Sequence, residues 1–237
     1  ISAKAHHGHI LSAGFGILLL SIIGIGLFSG NRIAPLGWIG PYSLIVPVIY
    51  FVAMRLLFVY EKRRIAEFVK ERAEELRYEK ISTRTAVVNY GINAMVVIIA
   101  AIFLPKIGEG IAETTGLGQT FVGNIFIALS TSLPEVVVSI SAVKMGAIDL
   151  AVGNLFGSNI FNILILAIDD IFFVKGPILS FVNTSHIISA LSAILMTAIA
   201  IIGLTYRSEK KTLLLAWDSI GILLVYIANI MLLYMLR

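Results

Sequence analysis

An all-α fold, a polytopic bundle of about seven transmembrane helices, is the architecture this 237-residue chain predicts. Its composition is 58% apolar and only 14% charged, with a mean hydropathy of +0.96, which lies outside the range of soluble globular domains. Apolar stretches near 20 residues recur along it, the length a helix rising about 1.5 Å per residue needs to cross roughly 30 Å of hydrocarbon. Short alternating segments of the membrane-barrel type are absent. The chain also has no cysteine, which excludes disulfides and thiolate-held metals.

Taken in order, the opening ISAKAHHGHI brings His6, His7 and His9 together. Three imidazoles can bind a metal, yet no further ligand is placed beside them, so a solvated juxtamembrane loop is the expectation. The chain starts at Ile1 with no charged n-region, short apolar core or cleavage site. Its natural N-terminus is therefore expected upstream. Spans are predicted near 10–30, 41–60, 86–105, 116–143, 148–171, 185–206 and 212–236. Between the second and third lies one strongly hydrophilic segment, EKRRIAEFVKERAEELRYEKISTR, mixed in charge and rich in helix formers. It reads as a solvated connector, folded as a short amphipathic helix in or near the interface.

That connector sets the orientation, because it holds eight of the eighteen Lys and Arg residues and positive loops stay in the cytoplasm. With seven alternating spans, Lys4, Lys144, Arg207, Lys210 and Lys211 fall on the same side. Arg32, Lys106, Lys175 and Arg237 fall on the other. The predicted arrangement has loop 61–85 cytoplasmic and the C-terminus outward. Glu109, Glu113, Asp169 and Asp170 then line the outer side. Asp218, beside Trp217 at the start of the last span, suits a helix N-terminal acid at the inner interface.

The chemistry concentrates between Gly116 and Asp170. In the fourth span Ala128, Thr131, Ser132 and Glu135 share one helix face. Pro134 removes the donor that would bond the carbonyl of Ser130, so a kink with unpaired carbonyls is predicted there. Carboxylate, hydroxyl and carbonyl oxygens together suit a hard cation, and an intramembrane acid is functional by default. In the fifth span Asn154, Ser158 and Asn162 follow at four-residue steps, and Gly153 and Gly157 offer a small-residue face for close helix approach. For either helix alone, ordinary packing glue explains these residues as well as an ion site does. Both together around Glu135 favour the ion site. Asp169 and Asp170 fit either a cation-attracting outer mouth or solvated helix-end acids.

STSLPE at 130–135, followed by GN at 153–154 and GSNIFN at 157–162, resembles the alpha repeat of the cation/calcium antiporter superfamily, the sodium/calcium exchangers. That family has ten spans in two inverted five-helix halves, each giving one repeat to a midplane cation site. The resemblance implies secondary antiport of calcium against sodium, or against protons, by alternating access, with no prosthetic group. It also implies a ligand set of the Glu135 carboxylate, Thr131 and Ser132 groups, the Ala128 carbonyl, and the Ser158 and Asn162 side chains. Residues 1–60 would be the last two spans of a first half, 61–85 the cytoplasmic connector, and 86–237 the complete second half with its repeat at 116–170.

Two departures from the family pattern stand out. No second copy of the motif is found, so a missing N-terminal half or a partner subunit is expected to complete the site. Asn162 occupies a position where exchangers commonly carry an acid, which weakens the expectation of calcium specificity. A membrane scaffold or half-transporter subunit is the alternative. A channel is disfavoured by the full carboxylate, and the absence of HExxH, GxSxG and P-loop patterns speaks against an enzyme. Nucleic-acid binding has no support beyond the mixed-charge loop, and the remaining partner is the lipid bilayer.

Overall fold

In the computed structural model, residues 3–71, 82–206 and 217–236 are described. The helices are α1 (Ala3–Ser29), α2 (Tyr42–Glu71), α3 (Thr83–Thr115), α4 (Gln119–Val122), α5 (Ala128–Lys144), α6 (Ile148–Phe172), α7 (His186–Tyr206) and α8 (Trp217–Met235). A π-turn, Gly123–Ile127, joins α4 to α5, so 119–144 runs as one continuous helix. Seven segments are long and apolar enough to cross a bilayer. The chain is an integral membrane protein built as a helical bundle.

Packing is strongest where apolar stripes at four-residue spacing meet. Leu19, Ile23 and Leu27 of α1, Tyr42 and Val46 of α2, and Ile160, Ile163 and Ala167 of α6 form one buried cluster, closed at one end by Leu179. Helix α7 packs on α1 and carries α8, while α5 packs on α6. By contrast α3 touches chiefly α4 and the π-turn. It approaches the π-turn tightly at Gly108, where a Cβ would lie 2.6 Å from Ile127 Cδ1.

The connector differs from expectation. Helix α2 does not stop at the membrane boundary near Tyr60 but continues to Glu71, because the helix-forming charged run has no breaker. Its first eleven residues are thus an extension of α2, not a separate interfacial helix; 72–81 lie outside the described residues. The third span also outruns its predicted end. It passes through Pro105 to Thr115 and stops at Gly116, whose φ of 68° and N–H bond to the Ala112 carbonyl make a left-handed C-cap. The start predicted for the last span, 212–216, lies outside the described residues.

The predicted histidine loop is also corrected. The backbone is helical from Ala3, and His9 is buried against α6, where its Nε2 lies 3.1 Å from Asp149 Oδ1. Nearby, Gly153 faces the His9 ring at 3.8 Å, whereas Gly157 meets open space. Only one of the two glycines therefore serves close helix approach. Where the C-terminal end of α7 meets the N-terminal end of α8, a Cβ on Gly203 would fall 2.8 Å from Asp218 Cβ and 2.9 Å from its Cγ. Gly203→Ala must push the Asp218 carboxylate off α7. It should lower stability by about 1–3 kcal/mol, measurable as a fall in Tm in detergent.

Candidate cation site

Helix α5 keeps its polar face despite Pro134. The α-helix is unbroken across the proline, and the departure from α geometry lies about two to three turns earlier, in the π-turn 123–127. The predicted disruption is thus displaced toward the N-terminal side. Such single-turn π insertions recur at functional sites, since the extra residue rotates the remainder of the helix.

The hydroxyls on this face bond backward along their own helix. Ser130 Oγ donates to the Phe126 carbonyl at 2.7 Å, and Thr131 Oγ1 lies 3.0 Å from the Ile127 carbonyl and 3.1 Å from that of Ala128. The Thr131 hydroxyl and the Ala128 carbonyl, two of the predicted oxygens, are therefore in direct contact. Each keeps lone pairs for a further partner. Ala128, Thr131 and Ser132 are all exposed on the flank of α5, while Glu135 is half-buried. One of its carboxylate oxygens, Oε2, is sealed from solvent and has no hydrogen-bond partner. A buried carboxylate oxygen without a donor is costly, which makes it the atom of this region most in need of a ligand.

On α6 the Ser158 hydroxyl donates to the Leu155 carbonyl at 3.0 Å and is half-buried, and Asn162 is exposed. Asn154, one turn before Ser158, instead points across to α5. Its Nδ2 donates to the Glu135 carbonyl at 3.2 Å and to Ser139 Oγ at 3.3 Å. The arrangement as a whole offers one carboxylate among hydroxyl, carbonyl and amide oxygens. Among the described residues no group of three His, Asp or Glu side chains gathers, here or elsewhere. A set of this kind suits a hard cation.

Asp170 is corrected outright. It is neither an outer mouth nor a solvated acid but fully buried at the end of α6. Oδ1 accepts from Tyr42 OH at 2.8 Å and the Ile178 N–H at 2.5 Å; Oδ2 accepts from the Gly40 N–H at 2.7 Å and Ser43 Oγ at 2.6 Å. Asp169 beside it is exposed, as a helix-end acid would be. Sequence reasoning also passed over Asn229, buried in α8 with its Oδ1 unpartnered. The available signal was a lone amide in the apolar run ILLVYIANIMLLYM.

The family model described as sodium/calcium exchanger protein matches residues 85–235. The sodium/calcium exchanger MaX1 of Methanosarcina acetivorans is 31% identical over 140 residues, 58% of this chain and 37% of that protein. The inner membrane protein YrbG of Escherichia coli is 29% identical over 126 residues, 50% of this chain and 38% of that one. Human sodium/potassium/calcium exchanger 4 is 38% identical over 55 residues, 23% of this chain and 9% of its own length. The chain thus spans well under half the length of the curated relatives it matches. No solved structure matches it.

Proposed function

Since the chain belongs to the sodium/calcium exchanger family, we propose that it is the cation-binding half of a secondary antiporter that exchanges sodium for calcium by alternating access. The observation that carries this reading is the Glu135 carboxylate, whose Oε2 is buried without a partner on a helix face of hydroxyl and carbonyl oxygens. Glu135 binds the cation, with the Ala128 carbonyl, Thr131, Ser132, Ser158 and Asn162 completing this side of the site. A single carboxylate can hold either a calcium ion or its counter-ions but not both at once. Competition for that charge couples the two fluxes.

The exposure of Ala128, Thr131 and Ser132 supports a second proposal, that further oxygen-bearing helices cover this face. Polar groups turned toward hydrocarbon are tolerated only where protein or a water-filled cavity meets them. The covering helices belong either to a preceding half of the protein or to a partner subunit. The charge distribution supports a cytoplasmic 61–85 connector and an outward C-terminus.

The protein, purified from its native membrane and reconstituted into sodium-loaded liposomes, should take up calcium when external sodium is diluted. A sodium ionophore should abolish that uptake. Uptake that ignores the sodium gradient but follows a proton gradient would replace sodium by protons in this scheme. Absence of saturable cation binding would instead favour a scaffold.

A further inference from the structure

The residue that holds the two halves of the motif in register is not among the predicted ligands. We propose that Asn154 is a positioning residue, which pins α6 to α5 at the level of Glu135 and so brings Ser158 and Asn162 opposite the oxygens of α5. The proposal rests on the reading of Glu135 as a cation ligand.

The amide is oriented by its neighbours. The Glu135 main-chain oxygen can only accept, so the atom 3.2 Å from it is the Asn154 nitrogen, and its second hydrogen is directed to Ser139 Oγ at 3.3 Å. Both acceptors lie on α5, one turn apart, and Asn154 bridges them from the neighbouring helix. Because α5 and α6 are joined by the short turn 145–147, they run antiparallel. Each step of four residues outward on α6 therefore matches a step of four backward on α5. With Asn154 level with Glu135, Ser158 comes level with Thr131 and Ser132, and Asn162 with Ala128. The oxygens of α6 thus come level with those of α5 turn by turn. A slip of one turn, about 5.4 Å, would take every α6 ligand past its counterpart. The tie also binds the main chain of Glu135 and leaves its carboxylate free.

Asn154→Leu removes both donors at similar volume, and the Glu135 carbonyl keeps the helical bond from the Ser139 N–H. The fold should survive. Ser139→Ala removes one acceptor only. Since the chain has no cysteine, Leu129→Cys on α5 and Ile165→Cys on α6, both at exposed positions, allow two spin labels to report the helix separation. With Asn154 intact, the native-membrane protein should give one narrow distance distribution. Asn154→Leu should broaden it or shift it by several Å, and Ser139→Ala should do so less. Equilibrium binding of calcium should show a half-saturation about tenfold higher for Asn154→Leu and about threefold higher for Ser139→Ala, with the number of ions bound unchanged. Unchanged distances in Asn154→Leu would overturn the tie. Altered distances with unchanged affinity would overturn the positioning role, leaving packing alone. If the unsubstituted protein binds no cation, the reading of Glu135 fails and the positioning role falls with it, while the labels still report whether Asn154 holds the two helices.

Discussion

Asp170→Asn should destabilise the protein more than any other conservative substitution in α6. The two carboxylate oxygens each accept one hydroxyl and one main-chain donor: Tyr42 OH and the Ile178 N–H on one side, Ser43 Oγ and the Gly40 N–H on the other. Hydroxyls can rotate away from an amide NH2, but main-chain N–H groups cannot. Whichever way the asparagine turns, its nitrogen confronts either Gly40 or Ile178, leaving a buried donor unsatisfied. Losing charge-assisted bonds at about 1.5–3 kcal/mol each and stranding one donor gives a loss of about 3–5 kcal/mol. The damage would spread, because Tyr42 OH also accepts from the Leu179 N–H at 3.2 Å, and the same ring fills a slot beside Gly26 and Gly40. Thermal unfolding in detergent should show a large fall in Tm. A Tm equal to that of the unsubstituted protein would mean that the clamp between the α1–α2 loop, α6 and the 178–180 turn holds nothing.

Legibility in the sequence depends on the range of each interaction. Span number and approximate limits were readable because the need for about 20 apolar residues is a local property of the chain. The polar face of α5 was readable because Ala128, Thr131, Ser132 and Glu135 lie on one helix at fixed offsets. Asp170 was not, since its partners Gly40, Tyr42 and Ser43 are about 130 residues away in sequence and no periodicity links them. His9 and Asp149 were missed for the same reason. Pro134 misled in position: its missing donor argued for disruption at 130–134, but the π-turn took up the irregularity at 123–127. Asn154 was visible as a member of a polar stripe. Its direction toward α5 depends on how two helices pack, which no single-helix pattern contains.

Glu135→Gln should weaken cation binding sharply without weakening the fold, the reverse of the Asp170 result. At about 2.4 Å from the carboxylate and an effective dielectric near 20, a divalent ion is attracted by roughly 14 kcal/mol and a monovalent ion by roughly 7. Dehydration of the ion offsets most of this. If even a fifth of the divalent attraction survives as net affinity, removing the charge weakens calcium binding about a hundredfold, at about 1.4 kcal/mol per tenfold. Calcium should suffer more than sodium, because the lost attraction scales with the ion's charge. Stability should respond differently, for Oε2 has no hydrogen bond to lose. Gln removes a charge held in a low-dielectric setting, so Tm should stay level or rise. Glu135→Asp keeps the charge but draws it back by one methylene, and should bind calcium with intermediate affinity. Calcium titration and thermal unfolding of the same three preparations decide the matter. A Gln variant that binds calcium as the parent does removes Glu135 from the site; one that loses binding and stability together makes it a structural acid like Asp170. Two carboxylates on adjacent helices should therefore separate by sign: one accepts four donors and stabilises the frame, and the other has an oxygen short of donors, the place we propose for the cation.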